Sequence, residues 1–171
     1  MKPSQMISPL FTRAILLGAL ACALAGCGAG QSAKGESYTA PTLQDESKAL
    51  IVIYRPAQSW RANAGAYPEV FLDGDSLGVI RYQGYLTTEV SPSSRKLLFT
   101  GLSPAAHEWE FKDRTLPLRL KPGKTHYYEV IVIYDEKSNV LGRPGMDFTL
   151  QIIPSSERTA RYQLPDLKRS N

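Results

Sequence analysis

From residue 49 onward the chain is a series of short apolar or alternating runs punctuated by Gly and Pro. Leu50-Ile51-Val52-Ile53-Tyr54 is a continuous, largely β-branched run, which marks a central strand, and Pro56 ends it. Val70-Phe71-Leu72, then Asp73-Gly74, then Leu77-Gly78-Val79-Ile80 predicts a hairpin around a Gly-bearing turn. Further strands are predicted over Tyr85 to Val90 and Arg95 to Thr100. His107, Trp109 and Phe111 alternate with charged residues, as Leu116, Leu118 and Leu120 do with Pro117 and Arg119. Both segments predict half-buried strands, and Pro117 assigns the second to a sheet edge. Pro122-Gly123 reads as a hairpin turn into the longest run, Thr125 to Tyr134. Asp135 to Gly145 reads as a polar loop, Phe148 to Ile153 as the last strand, and Ser155 as the cap of a short helix through Tyr162. Eight or nine short strands with close turns predict an all-β fold, a single immunoglobulin- or transthyretin-like β-sandwich with a short C-terminal helix over residues 49–163, followed by a tail, 164–171.

The first 48 residues follow different rules. Lys2 and Arg13 precede an apolar stretch from Ala14 to Leu24, and Leu24-Ala25-Gly26-Cys27 puts small residues before a cysteine. A basic start, a short apolar core and a small-residue cut describe a secretory signal peptide, 1–26, cleaved between Gly26 and Cys27. The apolar stretch falls short of the roughly 20 residues that span a bilayer. Residues 27–48 are rich in Gly, Ser, Ala and charge and read as a flexible tether, one that spans roughly 25 Å on average as a free coil.

Processing changes what the composition means. The full chain carries 20 Lys and Arg against 16 Asp and Glu, a formal charge of +4. Loss of Lys2 and Arg13 reduces this to about +2, and no cationic run exceeds Lys168-Arg169. That distribution gives nucleic acid no electrostatic footprint. Of the two cysteines, Cys22 leaves with the signal and Cys27 becomes the first mature residue. The mature chain then has no free thiol, no disulfide and no cysteine-based metal site, and no cofactor is expected.

Two resemblances follow from these residues. The Leu24–Cys27 stretch resembles the lipobox of bacterial lipoproteins. It implies a diacylglycerol on the Cys27 thiol and a further acyl chain, such as palmitate, on its amine, and several chains anchor where one holds only marginally. Gly28, where Asp would imply inner-membrane retention, implies the outer membrane. Ile53-Tyr54-Arg55-Pro56, Phe71-Leu72-Asp73-Gly74 with Gly78, Gly84-Tyr85, and Pro122-Gly123-Lys124-Thr125 with Tyr127 occur in that order over about Ala49 to Tyr162. This resembles the bacterial lipoprotein family called domain of unknown function 2846, whose members pair a lipobox and linker with one β-sandwich. The chain departs from it at Ser91-Pro92-Ser93-Ser94, where the family usually has a Pro-Gly turn. The resemblance brings no catalytic residues.

Several motifs suggest chemistry. Gly74-Asp75-Ser76-Leu77-Gly78 matches both the GDSL esterase block and the G-x-S-x-G elbow, but an elbow serine opens a helix and needs a base. Pro104 and Gly123, not Asp, stand three residues before the two histidines, His107 and His126. The segment therefore reads as a turn, with an ester or lipid hydrolase using Ser76 as the alternative. Gly123-Lys124-Thr125 lacks the first glycine of a P-loop, since Leu118 occupies that position. Asp73, Asp75 and Gly78 fit three positions of a calcium loop, but Leu77 and Gly84 fill two ligand positions. The two histidines lack further ligands at zinc spacing, so no metal site is expected. Trp60, Arg61 and Asn63, in the loop from Ala57 to Ala66, are the binding candidates, and the same Trp60 also reads as a lid over the sandwich end. The sequence thus predicts a periplasm-facing lipoprotein, a non-catalytic binding or assembly module. Its expected partners are the membrane, through the lipid, and an envelope protein or peptidoglycan.

Overall fold

A strand made only of apolar residues is stable in water only if something covers both of its faces. The computed structural model describes residues 32–58, 64–135, 139–140, 143–144 and 147–170. In it, β1 (Ala49–Arg55) is buried along its whole length. Successive side chains of a strand point to opposite faces. Ala49, Ile51 and Ile53 accordingly enter the main core, while Leu50, Val52 and Tyr54 enter a second, smaller one on the other side.

The main core lies between two sheets. One holds β10 (Asp147–Ser155), β7 (Thr125–Asp135), β1, β4 (Gly84–Val90) and β11 (Lys168–Arg169) in that spatial order. The other holds β3 (Asp75–Val79), β2 (Glu69–Leu72), β5 (Ser94–Thr100) and β6 (Arg114–Arg119). Neighbours are antiparallel, except that β1 pairs with β7 and β4 with β11 in parallel. Val70, Leu72, Leu97, Phe99 and Leu118 meet Ile51, Ile53, Leu86, Val130, Val132 and Leu150 across the interior. The protein is a β-sandwich with one short C-terminal helix.

Local chemistry fixes the details. Asp73 and Gly74, at φ 53° and 103°, form a two-residue turn of the primed kind that matches strand twist. Val70 faces Gly78 but Phe71 faces Ser76, so Leu77 is the extra residue of a bulge and Gly78 takes its φ of 105°. Pro117, which cannot donate to a ladder, lies on the edge strand β6.

The second core is covered by segments that the sequence sets outside the domain or at its margin. Helix α1 (Glu157–Gln163) has seven residues, too few to persist alone. It is held by burying Ala160, with Leu164 and Leu167 behind it, against Leu50, Val52, Tyr54 and Tyr85. Beneath it the Tyr54 hydroxyl donates to Gln163 Oε1 and lies 2.8 Å from Ser155 Oγ, and Gln163 Nε2 donates to the buried Glu129 at 2.9 Å. The rest of the cover comes from residues 32–48. Ala33 N–H bonds Tyr82 O at 2.9 Å, Gly35 N–H bonds Arg169 O at 3.1 Å, and Tyr38 N–H bonds Leu167 O at 3.0 Å. The Tyr38 ring meets Tyr85 edge-on at 5.1 Å, and Leu43 packs beside them. This strap needs Gly35, where a Cβ would sit 2.6 Å from Arg169 O. The folded unit thus begins earlier than residue 49 and extends past 163. Ser32 onward lies along the domain rather than spanning free of it, and Leu164, Leu167 and Ser170 are buried.

Four further differences have local causes. The segment from His107 to Phe111 is not a strand. It carries one bridge, Tyr67 with His107, and Glu108 turns the backbone to φ 48°. The chain doubles back here so tightly that a Cβ on Gly101 would meet Trp109 O at 2.1 Å. The alternation reflects two packed aromatics, Trp109 and Phe111, 4.6 Å apart, and not a ladder. Ser156, not Ser155, caps the helix, because Ser155 is still paired with Tyr127 in β10. Pro122-Gly123 is not a hairpin turn: β6 and β7 belong to different sheets, and Gly123, at φ 66°, turns the corner between them. The polar segment from Asp135 to Gly145 includes a small pair of strands, β8 (Asn139–Val140) and β9 (Arg143–Pro144).

Two expectations follow from the second core. Burial pushes the Tyr54 and Tyr38 phenols up to about 12 from an ordinary value of 10, Tyr38 further through its neighbour Tyr127. Between these values the folded chain keeps protons that the unfolded chain has released, so stability is intact below pH 10 and falls as pH rises towards 12. Urea midpoints measured from pH 9 to 11.5 should fall, and less steeply in Tyr54→Phe; a flat profile in the wild type would contradict the burial. Leu164→Ala, which empties space between helix and sheet, should lower unfolding free energy by about 2–5 kcal/mol in the same assay.

Candidate functional site

Ser76 is the second residue of β3, next to the turn that starts the strand. Strand follows it, not helix, so the backbone lacks the strand-to-helix turn of a nucleophile elbow. Its exposed hydroxyl donates a short bond to Glu69 Oε1 and accepts from Gly78 N–H at 3.2 Å. Neither histidine is its partner. His126 Nε2 accepts the Lys121 N–H at 3.0 Å, and burial holds its pKa below the ordinary value. His107 stacks on Tyr67 with ring centres 5.5 Å apart and points Nε2 towards Glu108 at 3.8 Å. A serine donating to a carboxylate lacks the imidazole that would take and return its proton.

The neighbouring acid is equally committed. Asp73 accepts Arg95 Nη1 at 2.9 Å and the Lys96 N–H at 2.8 Å, tying the turn to β5. The Arg95 hydrogen bond leads the causes that hold its carboxyl below the usual range. Lys124 and its neighbours stand at a corner entered by a strand, with Gly123 N–H on Lys48 O at 2.7 Å rather than open to a phosphate. Among the described residues, no three His, Cys, Asp or Glu side chains gather as a metal site.

The best-built feature is the frame around the loop from Ala57 to Ala66. Trp60, Arg61 and Asn63 themselves lie outside the described residues, as do Gly26 and Cys27. Both roots of the loop are held. On the first side Gln58 locks onto β7 as a surrogate strand: its Nε2 donates to Val132 O and its Oε1 accepts Val132 N–H, both at 3.1 Å. Gln58 also exchanges two hydrogen bonds with the Tyr82 hydroxyl, each 3.2 Å. On the far side Ala66 O accepts Arg55 Nη1 at 2.8 Å. Arg55 is fully buried, its guanidinium 5.8 Å from the Tyr82 ring centre and 5.4 Å from that of Trp109. Burial lowers its pKa to about 10, which leaves it charged at neutral pH. A cation between two aromatic faces and a carbonyl is stabilised where an isolated one is not. Trp109, buried in the main core, is the described tryptophan packed against this frame.

The register of the larger sheet answers where the other loop lies. β7 runs parallel to β1 beside it, continues past the level of Arg55, and pairs its last residue, Asp135, with Asp147 of β10, so the segment between them leaves from the end of the sheet at which β1 also ends. The 57–66 loop and the polar segment after Asp135 therefore leave the same end of the larger sheet. A separate cleft of about 330 Å³ opens along the side, between Arg114 and Leu116 of β6 and Leu150 and Ile152 of β10. The sequence places Arg55 in a family motif and Trp109 in an alternating run, but assigns none of Arg55, Gln58, Tyr82 and Trp109 to a site. Their signal was an arginine closing an apolar run just before Pro56, which reads as a strand end until the structure shows it buried.

No curated protein matches the chain, and no solved structure does. A family profile described as "Protein of unknown function (DUF2846)" matches residues 45–143, more than half of the chain. It spans the end of the strap, β1 to β7 and the loop frame, and stops before β10 and α1. The chain belongs to the DUF2846 family.

Proposed function

We propose that this protein is a lipoprotein, anchored through Cys27 in the bacterial outer membrane, whose sandwich faces the periplasm as a non-catalytic binding or assembly module. The observation that carries the reading is the ordered set of basic start, apolar core and Leu24-Ala25-Gly26-Cys27 at the head of the chain. Gly28 favours the outer membrane. The non-catalytic part is supported by Ser76, whose partner is Glu69 and not a histidine. The binding part is supported by the locked roots of the 57–66 loop, because a rigid scaffold lowers the entropy lost when a loop engages a partner. Trp60, Arg61 and Asn63 are the contact residues on this reading, towards an envelope protein or peptidoglycan.

Metabolic labelling with an alkyne fatty acid should mark the wild type and leave Cys27→Ala dark; equal labelling of both would sink the anchor. Separation of membranes should place the labelled protein with the outer membrane, and recovery with the inner membrane would count against the role of Gly28. A fluorophosphonate probe should leave the wild type unlabelled. Labelling that disappears in Ser76→Ala would instead make the protein a hydrolase.

A further inference from the structure

We infer that the edge of the domain formed by the strap and β11 rests against phospholipid headgroups, so that the anchored domain is oriented and does not swing on a leash. The inference rests on the proposed lipid anchor at Cys27. It comes from the distance that remains once the strap is laid down. As a free coil, residues 28–48 would hold the sandwich roughly 25 Å from the lipid on average. In the structure Ser32 already bridges Tyr82, and Ala33, Gly35, Glu36 and Tyr38 are hydrogen-bonded to the domain through their backbone. Five Cα–Cα steps separate Cys27 from Ser32, a reach of at most about 18 Å however they run. The lipid must therefore enter the bilayer within that distance of one defined edge.

The edge is suited to such a surface. Lys34 on the strap, Arg81 beside Tyr82, and Lys168 and Arg169 on β11 meet there through the pairings of Ala33 with Tyr82, Gly35 with Arg169, and Lys168 with Gly84. Glu36 and Asp166 are the acids among them, which leaves basic groups in excess. Two of the cations are held in place: the Arg81 guanidinium lies 4.0 Å from the Tyr67 ring centre and that of Arg169 lies 5.6 Å from Tyr85. Lys34 and Lys168 are exposed. Basic groups held near a bilayer containing anionic lipid are drawn to its negative surface potential. The opposite edge is β10, four strand spacings or about 19 Å away across the sheet.

The test uses the full lipidated protein in vesicles of phosphatidylethanolamine and phosphatidylglycerol, some bearing a headgroup nitroxide. Once Cys27 is lipidated, a single new cysteine carries a fluorophore, in Lys168→Cys on the strap edge or Thr149→Cys on β10, both exposed positions. Nitroxide quenching should be at least about threefold stronger at 168 than at 149. Equal quenching in protein that floats with the vesicles would overturn the orientation while leaving the anchor intact. Wild-type protein that fails to float would overturn the anchor and the orientation together. Inserting about sixteen Gly and Ser residues after Gly28 lengthens the reach to about 76 Å without touching the strap, and should bring the two positions to equal quenching. An unchanged ratio in that variant would overturn the short reach as the cause.

Discussion

Strand β1 has no solvent-facing side, and a strand in that position has to be covered twice. The four-stranded sheet covers Ile51 and Ile53, as in any sandwich. Leu50, Val52 and Tyr54 need a second cover, and the four-stranded sheet lies on the other side of β1. The strap and the C-terminal helix do so instead, one from each end of the chain. This links features that look unrelated: a seven-residue helix that would not hold alone, a polar N-terminal stretch bound in place, and a two-residue strand at the sheet edge. Each is there because half of β1 would otherwise be wet. Burial of Tyr54 then imposes its own demand, since a phenol taken from water must keep a partner, and Ser155 and Gln163 provide it.

The parts legible in sequence were those in which the backbone is dictated locally. Asp73-Gly74 can hardly be anything but a primed turn between apolar runs, and Pro117 can hardly sit in a central strand. Even the double burial of β1 was legible, as five apolar residues without alternation. Its cover was not. Residues 32–48 look like linker because Ser, Gly and charged side chains have little to bury, yet Ala33, Gly35 and Tyr38 attach through backbone N–H groups, which every residue but proline carries. Composition does not report such contacts. Only Tyr38 and Leu43 hint at them, and two apolar side chains in a polar stretch are a faint signal. The segment from His107 to Phe111 failed in the opposite way: its side chains alternate as a strand's do, but Glu108 at φ 48° breaks the ladder that alternation implies.

The candidate site divides along the same line. The GDSL spelling was legible and its chemistry could be weighed from sequence, because a missing base is visible in a chain with two histidines. The loop frame was not legible, because it depends on a charge that burial should disfavour. Arg55 is held inside by Ala66 O and the faces of Tyr82 and Trp109, which come from three separate stretches of chain. Each of the three helps to offset the cost of removing a guanidinium from water. Its burial therefore ties the loop root, the sheet-to-sheet crossing at Tyr82 and the doubled-back segment at Trp109 to one another.

Tyr82 also joins that frame to the strap. Its carbonyl takes the Ala33 N–H, and its hydroxyl exchanges hydrogen bonds with Gln58 at the root of the 57–66 loop. One residue thus touches the part of the chain nearest the proposed lipid and the part nearest the proposed contact surface. A tether that lets a domain tumble leaves its binding loop with no preferred direction. A strap fixed to the residue that also fixes the loop root holds that root at a constant position relative to the strap. Under the proposed orientation, a partner in the same envelope layer would be met from a restricted set of directions, and less freedom would be lost on binding. On that view the strap's role in covering β1 and its role in aiming the loop come from the same few backbone hydrogen bonds.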